Sequence, residues 1–422
     1  MLALKIMIKT ILLTLLFFMG CAGVTQVTHI DSVVVGEPTF FPTIAAHTDA
    51  PILDGNRVDV LLNGEQTFPA MLEAIRGAKR SITYAQYLYQ DGAIAYELAE
   101  AFAERCRAGL TVKLLIDSHG GSKMPKDIPV LLTESGCQLE WFRRIRLFQF
   151  ITPWELLRYN YRNHRRILVV DGAIGFTGGH GVAEAWMGDG RTDDYWRDTD
   201  VRIEGPVVQQ LQAAFVESWR ETTGHVLGGD LYFPVLKPRG KVNAQIVKSS
   251  PFGGSFESYM LLLISIASAR KTVHISNPYF LPDERIQEAL LTAVKRGVSV
   301  VVLTPGKIDH KLVYWASRRG FAPLLLGGIQ IYEYQAALMH AKTMIVDGVW
   351  ANVGTTNLDN RSFALNEEIN LIVYDRAVAG ELEKAFADDL RHSKLLTYEE
   401  WRARPWREKF LELFTIPIRE QL

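Results

Sequence analysis

The chain repeats itself, and no other feature limits its fold as much. The run Asn163-His164-Arg165-Arg166-Ile167-Leu168-Val169-Val170-Asp171-Gly172 returns as Met339-His340-Ala341-Lys342-Thr343-Met344-Ile345-Val346-Asp347-Gly348. The elements ahead of each run also match. In the first half, the β-rich Val58–Leu62 leads to an amphipathic helix through Ala78 and a strand from Lys79 to Thr83. The helix Ala93 to Ala108 follows, then Gly109 as its C′ residue and the strand Val112–Ile116. The second half offers a helix through Ala269, the strand Arg270–Ile275, the helix Glu284–Arg296, Gly297, and the strand Val298–Leu303. Two coincidences of this length point to an internal duplication.

Apolar strands alternating with helices predict an α/β fold, with a mostly parallel or mixed sheet covered on both faces. At 422 residues the chain exceeds the roughly 250–300 at which one core usually divides, so two domains are expected. Gly228, Gly229, Pro234, Pro238 and Gly240 cluster where the boundary should fall. The reading is a lead segment at 22–56, domains at 57–235 and 236–398, and an amphipathic C-terminal segment at 399–422.

Side chains two apart on a strand share a face, so His164 points with Arg166 and His340 with Lys342. An imidazole beside a cation suits attack on a phosphodiester, because imidazole is nucleophilic near neutral pH and the cation stabilises charge on the non-bridging oxygens. With two copies face to face, one histidine attacks phosphorus while the other protonates the departing alcohol and later deprotonates its replacement. This chemistry calls for no metal and no cofactor, and no HExxH helix or compact Cys/His/carboxylate spacing is present. The residues alone leave the two histidine roles interchangeable.

Both runs resemble the HxKx4D motif of the phospholipase D superfamily, over nearly everything from about 57 to 395. Asn277-Pro278-Tyr279-Phe280-Leu281-Pro282, Trp196-Arg197-Asp198-Thr199-Asp200-Val201-Arg202-Ile203-Glu204-Gly205-Pro206 and Asn357-Leu358-Asp359-Asn360-Arg361-Ser362-Phe363 are similar to the bacterial cardiolipin synthase branch. The resemblance implies two homologous α-β-α sandwich domains related by a pseudo-twofold axis. It implies transfer of a phosphatidyl group between phosphatidylglycerol molecules with release of glycerol. It makes His164 the nucleophile and His340 the acid and base, counts Arg166, Lys342, Asp171 and Asp347 in the catalytic motif, and gives Asn357 a hydrogen bond to phosphate. The first copy departs twice, with Arg166 for the family's Lys and Gly181 for its Asn. Asp171 and Asp347 stand seven positions after their histidines, an odd offset that puts them on the opposite face and predicts structural work. The carboxylates that orient the imidazoles are expected, again by resemblance, to be Asp198 for the first copy and Glu368 for the second.

The first residues carry Lys5 and Lys9, the apolar run Ile11 to Met19, and Gly20-Cys21-Ala22. That is the order of a secretory signal at 1–21, with a run too short for the ~20 residues that span a bilayer. Phe18-Met19-Gly20-Cys21 resembles a bacterial lipoprotein box, with Cys21 as the candidate for lipidation and Phe18 a poor match. The expectation is an exported, membrane-associated bacterial protein on the periplasmic face. Cys106 and Cys137 have no metal-ligand spacing, and the sequence leaves open whether they pair. Trp141 to Trp154 mixes cations with large apolar side chains, and Trp401 to Leu422 repeats the theme, which suits an anionic phospholipid surface. The same composition also fits a half-buried strand and a closing amphipathic helix. A hydrolase giving the phosphatidyl group to water and a nuclease are the alternative classes. Against the nuclease stand a net charge of −1, the export signal and the synthase-like flanks. The sequence is silent on oligomeric state.

Overall fold

The computed structural model describes residues 27, 29–31, 33–144, 158–250, 256–413 and 415. The signal region with Cys21, most of the aromatic and basic run after Arg144, and the last residues of the C-terminal segment lie outside them. The first half contributes β1 (Leu53–Leu62), β2 (Ser81–Gln86), β3 (Thr111–Asp117), β4 (Gln138–Phe142), β5 (Ile167–Val170), β6 (Ile174–Gly178) and β7 (Thr199–Glu204). The second contributes β8 (Val242–Ser249), β9 (Thr272–Ser276), β10 (Ser299–Pro305), β11 (Gln330–Tyr334), β12 (Thr343–Val346), β13 (Trp350–Gly354), β14 (Glu368–Tyr374) and β15 (Ser393–Leu396).

The strand order is β15-β11-β10-β9-β12-β13-β14-β8-β1-β7-β6-β5-β2-β3-β4. Read outward from its centre it is the same list twice: β1, β7, β6, β5, β2, β3, β4 on one side, and β8, β14, β13, β12, β9, β10, β11 on the other. The equivalent strands β1 and β8 pair antiparallel at that centre, as a pseudo-twofold axis requires, and β15 is an addition to the second half. The halves therefore share one ladder. Among the named strands of the described residues, the parallel pairs are β2 with β3, β3 with β4, β9 with β10 and β10 with β11. The sheet is mixed because each signature run returns as a hairpin, β5 to β6 and β12 to β13.

Those hairpins explain the signature's last residues. Asp171 and Gly172 have φ of 53° and 64°, and Asp347 and Gly348 have 54° and 64°. Two successive left-handed residues closed by a hydrogen bond from Ala173 N to Val170 O, or from Val349 N to Val346 O, make the tight turn that Asp-Gly favours.

Three apolar cores hold the layers. One packs helices Asn63–Gly77 and Ala93–Arg107 on the outside of the first half, and one packs Glu257–Ser268 and Glu284–Lys295 on the second. The third lies between the halves and contains Leu211, Phe215 and Trp219 from helix Val208–Thr223 with Leu382 and Phe386 from helix Arg376–Arg391. Each sheet half is thus covered on both faces. Two departures from the expected boundaries follow. The strand β1 begins at Leu53, ahead of 57. The lead segment forms a helix, Phe40–Thr48, whose Phe40 and Ile44 are buried in the second half's core, so it closes the domain farther along the chain. Cys106, in the last turn of its helix, and Cys137, before β4, form a disulfide. Among the described residues no helix is long and apolar enough to cross a membrane.

Candidate active site

Each histidine precedes a short strand, His164 before β5 and His340 before β12, in a segment that pairs with the opposite half. The His164 N–H donates to Glu367 O at 2.9 Å and the His340 N–H to Arg197 O at 2.7 Å. Both bridges run parallel, Asn163 with Glu367 and Arg197 with Met339. The return bonds match as well, Glu367 N to Arg162 O and Arg197 N to Leu338 O, so the duplication becomes one site on the pseudo-twofold axis.

The carboxylates follow one residue after these bridges, which decides their partners. His164 Nδ1 lies 3.0 Å from both Glu368 Oε1 and Oε2, and His340 Nδ1 lies 2.7 Å from Asp198 Oδ2. The expected assignment, Asp198 to the first copy's histidine and Glu368 to the second's, is therefore corrected: the dyads are crossed, because each motif segment pairs with the other half's β7 or β14. A carboxylate on Nδ1 holds that nitrogen as the donor and leaves a lone pair on Nε2.

Each imidazole has a cation against it. Arg166 Nη2 approaches His164 Nε2 at 3.4 Å, and Lys342 Nζ lies 2.9 and 3.0 Å from the two ring nitrogens of His340. Arg165, between His164 and Arg166, points the other way. Its guanidinium is fully buried, donating to Ala214 O, Ser218 Oγ, Glu217 Oε1 and Ser249 O. The alternation expected of an extended segment is thus used on both faces.

The field in this pocket is unusual. Burial, with Lys342 beside it, pushes His340 down to about 3 against the pull of Asp198. Burial pushes Lys342 down to about 7. His164 is lowered as well, by burial and by Arg166 and Lys342 against Glu368. Burial alone would raise Asp198, but His340, Lys342 and His180 outweigh it and hold the carboxyl well below its ordinary range. The resting pocket therefore contains two neutral imidazoles, an ionised Asp198 and a surplus of donors. Arg166 Nε and Nη1 are buried without a hydrogen-bond partner, and so is Asn357 Oδ1. Unsatisfied buried cationic donors are costly unless an anion completes them.

Asp171 and Asp347, counted in the catalytic motif, stand at the far ends of β5 and β12. Asp171 accepts from the backbone N–H of Lys79, Arg80 and Ser81 at 2.8–3.2 Å. Asp347 accepts from Arg270, Lys271 and Thr272 at 2.7–2.9 Å. Each carboxylate pins the start of the strand that flanks its histidine.

Comparison with known proteins agrees with this geometry. A family model described as cardiolipin synthase, PLD-like domain, matches residues 262–390. Cardiolipin synthase 2 of Staphylococcus epidermidis is 34% identical over 85% of this chain and 72% of its own length. The major cardiolipin synthase of Bacillus subtilis is 35% identical over 84% of this chain and 73% of its own. This chain belongs to the phospholipase D-like cardiolipin synthase family. A crystal structure of phosphatidylserine synthase from Haemophilus influenzae shares the fold, with a TM-score of 0.65 at 16% identity, covering 90% of this chain and all of that one.

As a cardiolipin synthase-type chain it departs from its own second copy at the loop after β6, and the structure accounts for the departure. Gly178 pairs with Asp200 as Gly354 pairs with Asn370, so Gly179 and Gly181 stand where the second copy has Thr355 and Asn357. Thr355 Oγ1 donates to Glu368 Oε2 at 2.5 Å, and Asn366 adds a second donor at 3.3 Å. In the first copy a Cβ at Gly179 would fall 1.9 Å from Asp198 Oδ1, and one at Gly181 would meet the Trp186 ring at 3.0 Å. The indole lies against Gly181 and takes over the donor role that Thr355 has in the second copy: Trp186 Nε1 donates to Asp198 Oδ2 at 2.9 Å. Its ring also stands edge-on to His340 at 5.1 Å, with Trp196 at 5.5 Å and Tyr279 at 6.5 Å. Among the described residues His164 has one such neighbour, Tyr87, at 4.8 Å. Trp196 and Tyr279 stand inside runs that carry the resemblance, but Trp186 lies in a short 3-10 turn (Glu184–Trp186) that nothing in the sequence marks.

Proposed function

We propose that this chain makes cardiolipin, moving a phosphatidyl group from one phosphatidylglycerol to a hydroxyl of a second through a phosphohistidine. Cardiolipin synthase relatives over most of the chain support the overall reaction. The observation that carries the mechanism is the pair of buried imidazoles, each tied to a carboxylate through Nδ1, around the unpartnered donors of Arg166.

The phosphodiester anion lies among Arg166, Lys342 and Asn357, and its charge opposes the burial and the neighbouring cations that keep His340 neutral, so His340 takes up a proton as the lipid docks. His164 Nε2 attacks phosphorus. The N–P bond forms, the P–O bond to glycerol breaks, and the glycerol oxygen receives the proton from His340. The hydroxyl of the second phosphatidylglycerol then gives its proton to His340 and attacks phosphorus. The P–O bond of cardiolipin forms, the N–P bond breaks, and His164 is restored. Glu368 and Asp198 hold the two rings and stabilise the charge each acquires. The aromatic wall of Trp186, Trp196 and Tyr279 favours an alcohol over water beside His340. The chain acts in this reading on an anionic membrane after export, with Cys21 as the lipidation site; the leader composition and the Cys106–Cys137 bond, a feature of oxidising compartments, support it.

The test is purified protein in detergent micelles of phosphatidylglycerol with EDTA, products followed by mass spectrometry, beside His164→Ala and His340→Ala. Cardiolipin and glycerol, absent in both variants, are expected. Phosphatidic acid alone would replace the transferase with a hydrolase.

A further inference from the structure

We propose that the helices Lys311–Arg319 and Trp406–Leu413 together form the surface by which the protein docks on an anionic lipid bilayer. The two pack against each other, and the second turns Trp406, Phe410 and Leu413 outward at 71%, 51% and 53% exposure. Positions four and seven residues on from Trp406 share its helix face, so these side chains form a single stripe. Leu312, 46% exposed, adds apolar surface from the neighbouring helix. Isolated exposed apolar residues need no explanation, but Trp, Phe and Leu aligned on one face mark contact with another apolar phase.

The charges around the stripe select the occupant. Lys311, Arg319, Arg402, Arg407 and Lys409 are all exposed, and the Arg407 guanidinium lies 5.9 Å from the Trp406 ring. The nearby carboxylates are mostly engaged: Glu412 is buried against Arg404 and Glu400 pairs with Lys394. That leaves the exposed Glu399 and the half-buried Glu408. Cations flanking an aromatic stripe match anionic headgroups above acyl chains.

The surface is continuous with the site. Asp309 and His310 directly precede the first helix, the Tyr279 hydroxyl donates to Asp309 Oδ2 at 2.5 Å, and the Tyr279 ring faces His340. A lipid rising from a bilayer under these helices would reach His340 past Asp309 and Tyr279. This last step rests on the lipid reading above, but the docking itself is measured without turnover.

The experiment is hydrogen–deuterium exchange on the full chain, with and without vesicles of phosphatidylglycerol and phosphatidylcholine, and with phosphatidylcholine alone. Slowed exchange in both helices, dependent on phosphatidylglycerol, is expected. A second arm compares Trp406→Ser/Phe410→Ser/Leu413→Ser with the parent on vesicles and on short-chain monomeric phosphatidylglycerol. Turnover on vesicles should fall by roughly tenfold or more while monomer turnover is kept. The proposal is overturned if the protein sediments with vesicles while both helices exchange as in buffer. It is also overturned if the two helices are protected by raising protein concentration alone, which would make the stripe a contact between copies. Because exchange is read without catalysis, an inactive preparation still decides it.

Discussion

The crossed dyads give the sharpest prediction, because they group each histidine with a carboxylate from the opposite half. Consider Glu368→Gln and Asp198→Asn assayed on a phosphodiester with a p-nitrophenolate leaving group, which departs without a proton. When an imidazole gains positive charge, a carboxylate roughly 4 Å from the ring centre is worth about 4 kcal/mol at an effective dielectric near 20. That corresponds to about a thousandfold in rate. Glu368 touches His164 through both oxygens, so Glu368→Gln should slow formation of the phosphohistidine by about that factor, as His164→Ala abolishes it. Asp198 touches only His340 of the two, so Asp198→Asn and His340→Ala should still release one equivalent of nitrophenolate and then stall. Rapid-quench kinetics with acid-labile label trapping reads both phases. A burst in Glu368→Gln together with its loss in Asp198→Asn would put each carboxylate back with the histidine of its own half and refute the reasoning.

Other perturbations follow from the same geometry. Trp186→Phe keeps an aromatic ring but removes the donor to Asp198 and, at about 1.5–3 kcal/mol for a hydrogen bond to a charged group, should lower kcat by roughly 10–150-fold and also lower the melting temperature, since the indole is buried. The free Lys342 ammonium titrates near 7, so its charge is present below that pH and lost above it; kcat/KM should fall on an alkaline limb near neutrality, and Lys342→Arg should shift that limb upward by more than two pH units in a rate profile. Cys106→Ser opens a covalent loop with a sequence separation of 31 and, on chain entropy, should cost about 3.7 kcal/mol in urea unfolding, a loss that reductant should reproduce in the parent.

Much of this protein was legible in the sequence. The duplication, the strand and helix order, and the placement of His164 with Arg166 and His340 with Lys342 on one face all follow from local periodicity, which any extended or helical segment imposes on its own side chains. Asp198 and Glu368 could be named as ring partners, and the odd offset of Asp171 and Asp347 directed them away from the site. What the sequence did not contain is anything that depends on how one half meets the other. The exchange of carboxylates between dyads, the single ladder through β1 and β8, and the helix Phe40–Thr48 closing the far domain are all consequences of the pseudo-twofold axis. Residues 142 and 204 apart along the chain are brought together there. Trp186 belongs to the same class: it fills the space beside Gly181, and volume left by one segment and taken by another is settled by packing density, which no local pattern encodes.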